Sequence, residues 1–247
     1  MVHVSGSELA KLDGNVGSYP LRFFRDGESD DWYAMLGIDA METVGLEQMV
    51  ITGSNNGGES FYLNQPVIIQ AGIFTQEVVE GVDSSTLEES NQAQDSQTVA
   101  GLKQTSNVRS WGTAMSYPVD EPYMVSGFGN RRTYNNGVFS NYHSGVDFGV
   151  YTADNINIYA SADGTVLFAD LLPIHGNFTV IDHGWGVYTS YSHQSQLLVT
   201  AGQQVKRGDL IGLIGNTGRS VGPHLHWEVI VNSTYVNPVT WLNTQFP

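Results

Sequence analysis

Beyond Tyr117 the chain is a succession of short β-branched and aromatic runs broken by turns of Gly, Asn and Asp. The runs are Ile156–Ser161, Gly164–Ala169, Phe178–Asp182, Val187–Ser192, Asp209–Ile214 and Leu225–Val231. None keeps a 3.6-residue apolar period, so this half is expected to be β-sheet. Residues 18–82 read the same way. Tyr19–Phe24, Trp32–Gly37 and Pro66–Ala71 are apolar or aromatic, and Asp26-Gly27 and Gly53–Gly58 supply turns at the spacing of a small antiparallel sandwich.

Between these halves, Asp83–Ala100 is polar and lacks Gly and Pro. It opens with Ser85-Thr86-Leu87-Glu88, the pattern of a helix capping box. The expected organisation is therefore all-β in three parts. Residues 1–82 form a β-rich, immunoglobulin-like accessory domain, 83–116 a polar linker with helical character, and 117–247 a second β domain.

Charge follows the same division. Residues 1–100 hold 16 acidic and 3 basic side chains, and residues 101–247 hold 9 and 7, giving the net −15. That excess disfavours a nucleic-acid partner, because phosphates attract Lys and Arg. The chain has no cysteine, which excludes disulfides, thiolate nucleophiles and cysteine metal sites. It also has no apolar run of the roughly 18 to 20 residues that a membrane helix needs. The N-terminus lacks the basic and apolar regions of a signal peptide, so either the protein is cytoplasmic or the sequence is a trimmed form of an exported one.

Six of the seven histidines fall in the second half. His143 and Asp147 stand four apart around Gly145 and can converge on one cation. In His224-Leu225-His226 both imidazoles project from one face of a strand while Leu225 and Trp227 turn to the other. Two histidines and a carboxylate suit Zn²⁺, which takes four ligands and keeps one position for water when the site is catalytic. With three of His143, Asp147, His224 and His226 on the metal, one histidine is left for another role. His193, in Ser190-Tyr191-Ser192-His193, is a further candidate for moving a proton or steadying an oxyanion. His175 and His183 lie in a loop and at a strand end, and neither is assigned to the metal. The run Gly215–Pro223 lacks the Gly-Lys-Ser/Thr ending of a phosphate loop and leads into a strand, so it is expected to shape the mouth of the histidine site.

These residues, in this order, resemble the lysostaphin-type, or LytM-like, zinc endopeptidases that cut the peptide part of bacterial peptidoglycan. The likeness runs from about Val125 to Asn243. It is carried by Ser126-Gly127-Phe128-Gly129, His143-x-x-x-Asp147, Ala160–Val166, Ile181-Asp182-His183-Gly184, Tyr191-Ser192-His193, Val205–Gly212 and Gly222-Pro223-His224-Leu225-His226-Trp227-Glu228. The resemblance implies an antiparallel sheet forming an open groove. It also implies His143, Asp147 and His226 as zinc ligands, and His193 and His224 as catalytic partners.

The activity so implied is zinc-dependent hydrolysis of stem or cross-bridge peptides, by a secreted, periplasmic or cell-surface protein whose export signal is absent from the chain. Glu228 shares the histidine face and is expected to orient an imidazole. Ser192 and Trp227 depart from the frequent Ala and Phe of the pattern, and Phe168–Asn177 is expected to reshape a groove wall. The alternative is a non-catalytic LytM-like regulator of other wall hydrolases, which is disfavoured because every ligand position is filled.

Overall fold

Two small antiparallel sheets open the chain. One runs Val2–Ser5, Asp31–Ala34, Phe23–Arg25, and the other Tyr19–Leu21, Leu9–Val16, Gly45–Asn55, Ser60–Ile69. Val16, Leu21, Ala34 and Ile51 are buried between them. The computed structural model describes every residue except 7, 28, 103–104, 113, 138–140, 151–155, 245 and 247.

The second half is built on one eight-stranded sheet. Its order is Gln204–Val205, Gly164–Leu172, Gly176–Asp182, Val187–Gln194, His224–Val231, Val146–Gly149 and Met124–Ser126, with Thr234–Val236 also paired to His224–Val231. Every pairing in it is antiparallel. The fold is all-β, as the run-and-turn pattern requires.

The strand His224–Val231 shows why. Leu225, Trp227, Val229 and Val231 are buried in the largest apolar cluster, and His224, His226 and Glu228 alternate with them on the opposite face. Burying the odd positions fixes the register. A one-residue slip would carry Trp227 out of the core, so the histidines are held on the groove face.

The two halves share that core. Phe24, Tyr33 and Met35 join Trp111, Trp185, Trp227 and Trp241 in it, with Tyr33 stacked on Trp185 at 5.5 Å between ring centroids. The strand Gln76–Val79 crosses over as well, pairing in parallel with Arg131–Tyr134.

The polar segment holds a 3-10 turn, Ser84–Leu87, and a helix, Glu89–Gly101. The turn begins earlier than a capping box at Ser85 implies, because Asp83 accepts from both Ser85 N and Ser85 Oγ at 2.9 Å. With the Ser85 hydroxyl so engaged, the N-cap of the helix falls to Glu88, which makes no side-chain cap bond. Asp95 is the buried residue of this helix.

Candidate metal centre and catalytic groove

The central geometry is a register match between neighbouring strands. Val146–Gly149 pairs with His224–Val231 so that Asp147 lies directly opposite His226, and the short link back to Asn141–Tyr142 carries His143 over the same spot. Gly145 makes the link close enough: a Cβ there would stand 2.2 Å from the Trp227 carbonyl oxygen. Three donor atoms converge. His143 Nε2 is 3.0 Å from Asp147 Oδ1 and 2.9 Å from His226 Nδ1, and His226 Nδ1 is 2.9 Å from Asp147 Oδ1. All three residues are buried, and together they form a group able to hold a metal ion.

Their outer atoms are tied down. His143 Nδ1 donates to the Gly127 carbonyl at 2.8 Å, which leaves Nε2 unprotonated toward the cluster. His226 is turned the other way round, with Nε2 2.9 Å from Glu228 Oε1 and Nδ1 facing inward. Glu228 is fully buried and also accepts from Ser144 Oγ at 2.6 Å and from Ser190 Oγ. Asp147 Oδ2 accepts from Arg132 Nη2 at 2.6 Å, so Oδ1 alone faces the histidines. Burial opposes charge on His226, but Glu228 and Asp147 outweigh it and push the imidazole up to about 9. Negative charge is thus concentrated where a cation would sit.

His193 and His224 stand beside this cluster, their rings 4.8 Å apart, with His193 6.0 Å from His226. Each donates Nδ1–H to a carbonyl of the Gly215–Pro223 loop: His193 to Thr217 O and His224 to Gly222 O, both at 2.8 Å. His224 Nε2 lies 3.7 Å from Asp147 Oδ1. Burial lowers both imidazoles, His193 strongly and with further repulsion from His224 and His226, so both are neutral near pH 7 with a free Nε2. His193 falls where the pairing of Gly176–Asp182 with Val187–Gln194 slips, at φ 62°. This bulge turns its ring into the groove.

The groove is lined by Arg132, Tyr134, Tyr142, Ile174, His175 and Arg219 as well as His143, His193 and His226. The hairpin turn at Ile174-His175 therefore forms part of the groove wall. His175, a loop residue not assigned to the metal, lines the groove, and its Nδ1 lies 2.6 Å from Asp95 Oδ2. His183 lies away from the site, fully buried, bonded to Asp163 O and Thr189 Oγ1 at 2.7 Å. Arg132, Arg219 and Glu77 carried no motif in the sequence. Only the unusual scarcity of cations, ten in the whole chain, could have drawn attention to the two arginines.

An antiparallel β-sheet groove with a His–Asp–His cluster and two neutral imidazoles is the equipment of a metallohydrolase. Residues 141–238 match the sequence profile of Peptidase family M23. Over 122 residues it is 43% identical to the peptidoglycan DD-endopeptidase ShyA of Vibrio cholerae, covering 49% of this chain and 28% of that protein. Over 98 residues it is 41% identical to the DD-carboxypeptidase/endopeptidase Mpg of Neisseria meningitidis serogroup B, covering 40% and 22%. The chain thus spans less than a third of the length of these curated relatives. A crystal structure of a candidate M23 peptidase from Pseudomonas aeruginosa superposes with a TM-score of 0.62 at 23% identity, covering 100% of this chain and 93% of that one. That likeness shows a shared fold along the whole chain.

Proposed function

We propose that the protein is a zinc-dependent endopeptidase that hydrolyses peptide bonds in the stem or cross-bridge peptides of bacterial peptidoglycan, outside the cytoplasm. The observation that carries this reading is the triangle of His143 Nε2, Asp147 Oδ1 and His226 Nδ1, with sides of 2.9 to 3.0 Å. Two nitrogens and one oxygen, with no cysteine in the chain, suit Zn²⁺ and leave a fourth position open. Bound there, Zn²⁺ would supply Lewis acidity to a peptide carbonyl and to water.

The chain's own residues account for the proton. His193 and His224 each keep an unprotonated Nε2, so either accepts the proton of the attacking water. The imidazolium so formed hydrogen-bonds the developing oxyanion while keeping its proton, and then gives that proton to the leaving amine. Arg219 is held with its guanidinium 4.4 Å over the Tyr134 ring, and its backbone N–H donates to Ile174 O at 2.8 Å. It faces the groove as a cation suited to a carboxylate of an anionic peptide. The wall-peptide substrate, and with it an extracytoplasmic location, is supported by the names of relatives such as ShyA. The peptidase unit in this reading is 117–247, joined through 83–116 to an accessory unit, 1–82.

The test is metal content together with peptide release from purified peptidoglycan, for wild type, His226→Ala and His193→Ala. The reading requires about one zinc and released peptides in the wild type, loss of both in His226→Ala, and retained zinc without release in His193→Ala. A wild type that binds zinc and releases nothing would favour the regulatory alternative.

A further inference from the structure

Three carboxylates from the acidic first 100 residues reach side chains that line the groove. Asp39 Oδ2 accepts from Tyr142 Oη at 2.7 Å, Asp95 Oδ2 meets His175 Nδ1, and Glu77 Oε2 accepts from Arg132 Nε at 2.9 Å. The lining residues themselves begin at Arg132, so these acids stand behind the wall and not over it.

Only Glu77 among the three has bonds that run on to the metal-holding residues. It sits directly opposite Arg132 in the parallel pairing of Gln76–Val79 with Arg131–Tyr134. Its Oε1 accepts from Asn130 Nδ2 at 2.6 Å, and Ser126 Oγ lies 2.7 and 2.9 Å from its two oxygens. From there the network forks. Arg132 Nη2 donates to Asp147 Oδ2 and, at 2.8 Å, to Ser126 Oγ, while Ser126 Oγ stands 3.1 Å from His143 Nδ1.

The consequence follows from the shape of a guanidinium. Arg is a planar fork that pairs with a carboxylate through two parallel N–H groups when it is free to do so. Arg132 is largely buried, and without Glu77 its nearest carboxylate would be Asp147 alone. It would then turn to take both oxygens of Asp147, including the Oδ1 that faces His143 and His226. With Nε held by Glu77, only one arm reaches Asp147, and it reaches Oδ2.

We propose that Glu77 is a positioning residue for the metal centre, acting through Arg132 to keep Asp147 Oδ1 free, and that the strand Gln76–Val79 is therefore a working part of the site. This rests on the reading of His143, Asp147 and His226 as metal ligands.

The experiment measures zinc affinity of the full chain by competition with a chromophoric chelator, alongside near-ultraviolet circular dichroism to establish the fold. The variants are Glu77→Gln, Arg132→Gln and the double substitution. Glu77→Gln should weaken zinc binding about 10- to 100-fold, the usual cost of losing an outer hydrogen-bond partner of a ligand. In the Arg132→Gln background the same change should shift affinity less than about twofold, because Glu77 acts through Arg132.

Unchanged affinity in Glu77→Gln, or an equal loss in both backgrounds, overturns the proposal. If Glu77→Gln fails to fold, Glu77→Asp withdraws the carboxylate by one methylene and carries the same comparison. A wild type that binds no zinc sinks the metal-centre reading itself, and this proposal with it. Equal zinc binding by wild type and Glu77→Gln sinks the proposal alone.

Discussion

Glu228→Gln is the sharpest probe of how the proposed metal ligands are held. Glu228 is fully buried and accepts from His226 Nε2, Ser144 Oγ and Ser190 Oγ. Burial works against its charge, yet His226 and Ser144 hold the carboxyl well below the usual range, so it is ionised at neutral pH. Glutamine keeps the shape and one acceptor oxygen but removes the charge. It also forces an NH₂ group toward either His226 and Ser144 or Ser190.

The ionised partner is what fixes His226 with Nε2–H outward and Nδ1 inward. Losing such a partner of a metal-binding histidine costs roughly 10- to 100-fold in metal affinity, or about 1.4 to 2.8 kcal/mol. Chelator competition near pH 7 reads this directly, with circular dichroism to show that the sheet is intact. Turnover on peptidoglycan should fall in parallel at limiting zinc and recover in part at excess zinc. Zinc affinity and turnover within about twofold of wild type would refute the argument that Glu228 orients His226.

His183 gives a stability prediction with a defined sign. Burial drives its imidazole from 6.5 down to about 4 in the folded chain, so the unfolded state binds the extra proton. Stability should be full above about pH 6.5 and fall as pH drops toward 4, by up to about 3 kcal/mol. Urea unfolding of the metal-free protein at several pH values should show this slope, reduced in His183→Gln; an unchanged slope in the variant would contradict it. For Arg219→Gln, KM for wall peptides with a free carboxylate should rise about tenfold or more, with kcat held within a few-fold. Peptides with that carboxylate amidated should be insensitive to the change, and equal effects on both would remove Arg219 from substrate recognition.

Alternation and turn chemistry made much of the second half legible in advance. Leu225, Trp227, Val229 and Val231 had to share a buried face, so His224, His226 and Glu228 had to share the other, whatever the surrounding topology. The spacing of His143 and Asp147 around Gly145 likewise limited where that pair could point. Choosing His226 over His224 as the ligand was not open to spacing. The family resemblance implies His226, and in the structure Asp147 pairs with His226 in register while His224 falls opposite Gly149.

The rest depended on contacts between residues far apart in sequence, which local pattern does not encode. Nothing in the run around Ser192 announces the slip that turns His193 into the groove at φ 62°. The polar segment near Asp95 reads as solvated, yet that carboxylate is buried against Ile174 and His175, some 80 residues away. Glu77 is one of sixteen acids in the first 100 residues, and only the parallel pairing of its strand with Arg131–Tyr134 distinguishes it. The sequence by itself determined an all-β chain and the residue types on offer to a metal, because periodicity and residue chemistry are local properties. Tertiary structure decided which atoms converge and which charges hold them in place, because convergence depends on strand order and register across the whole sheet.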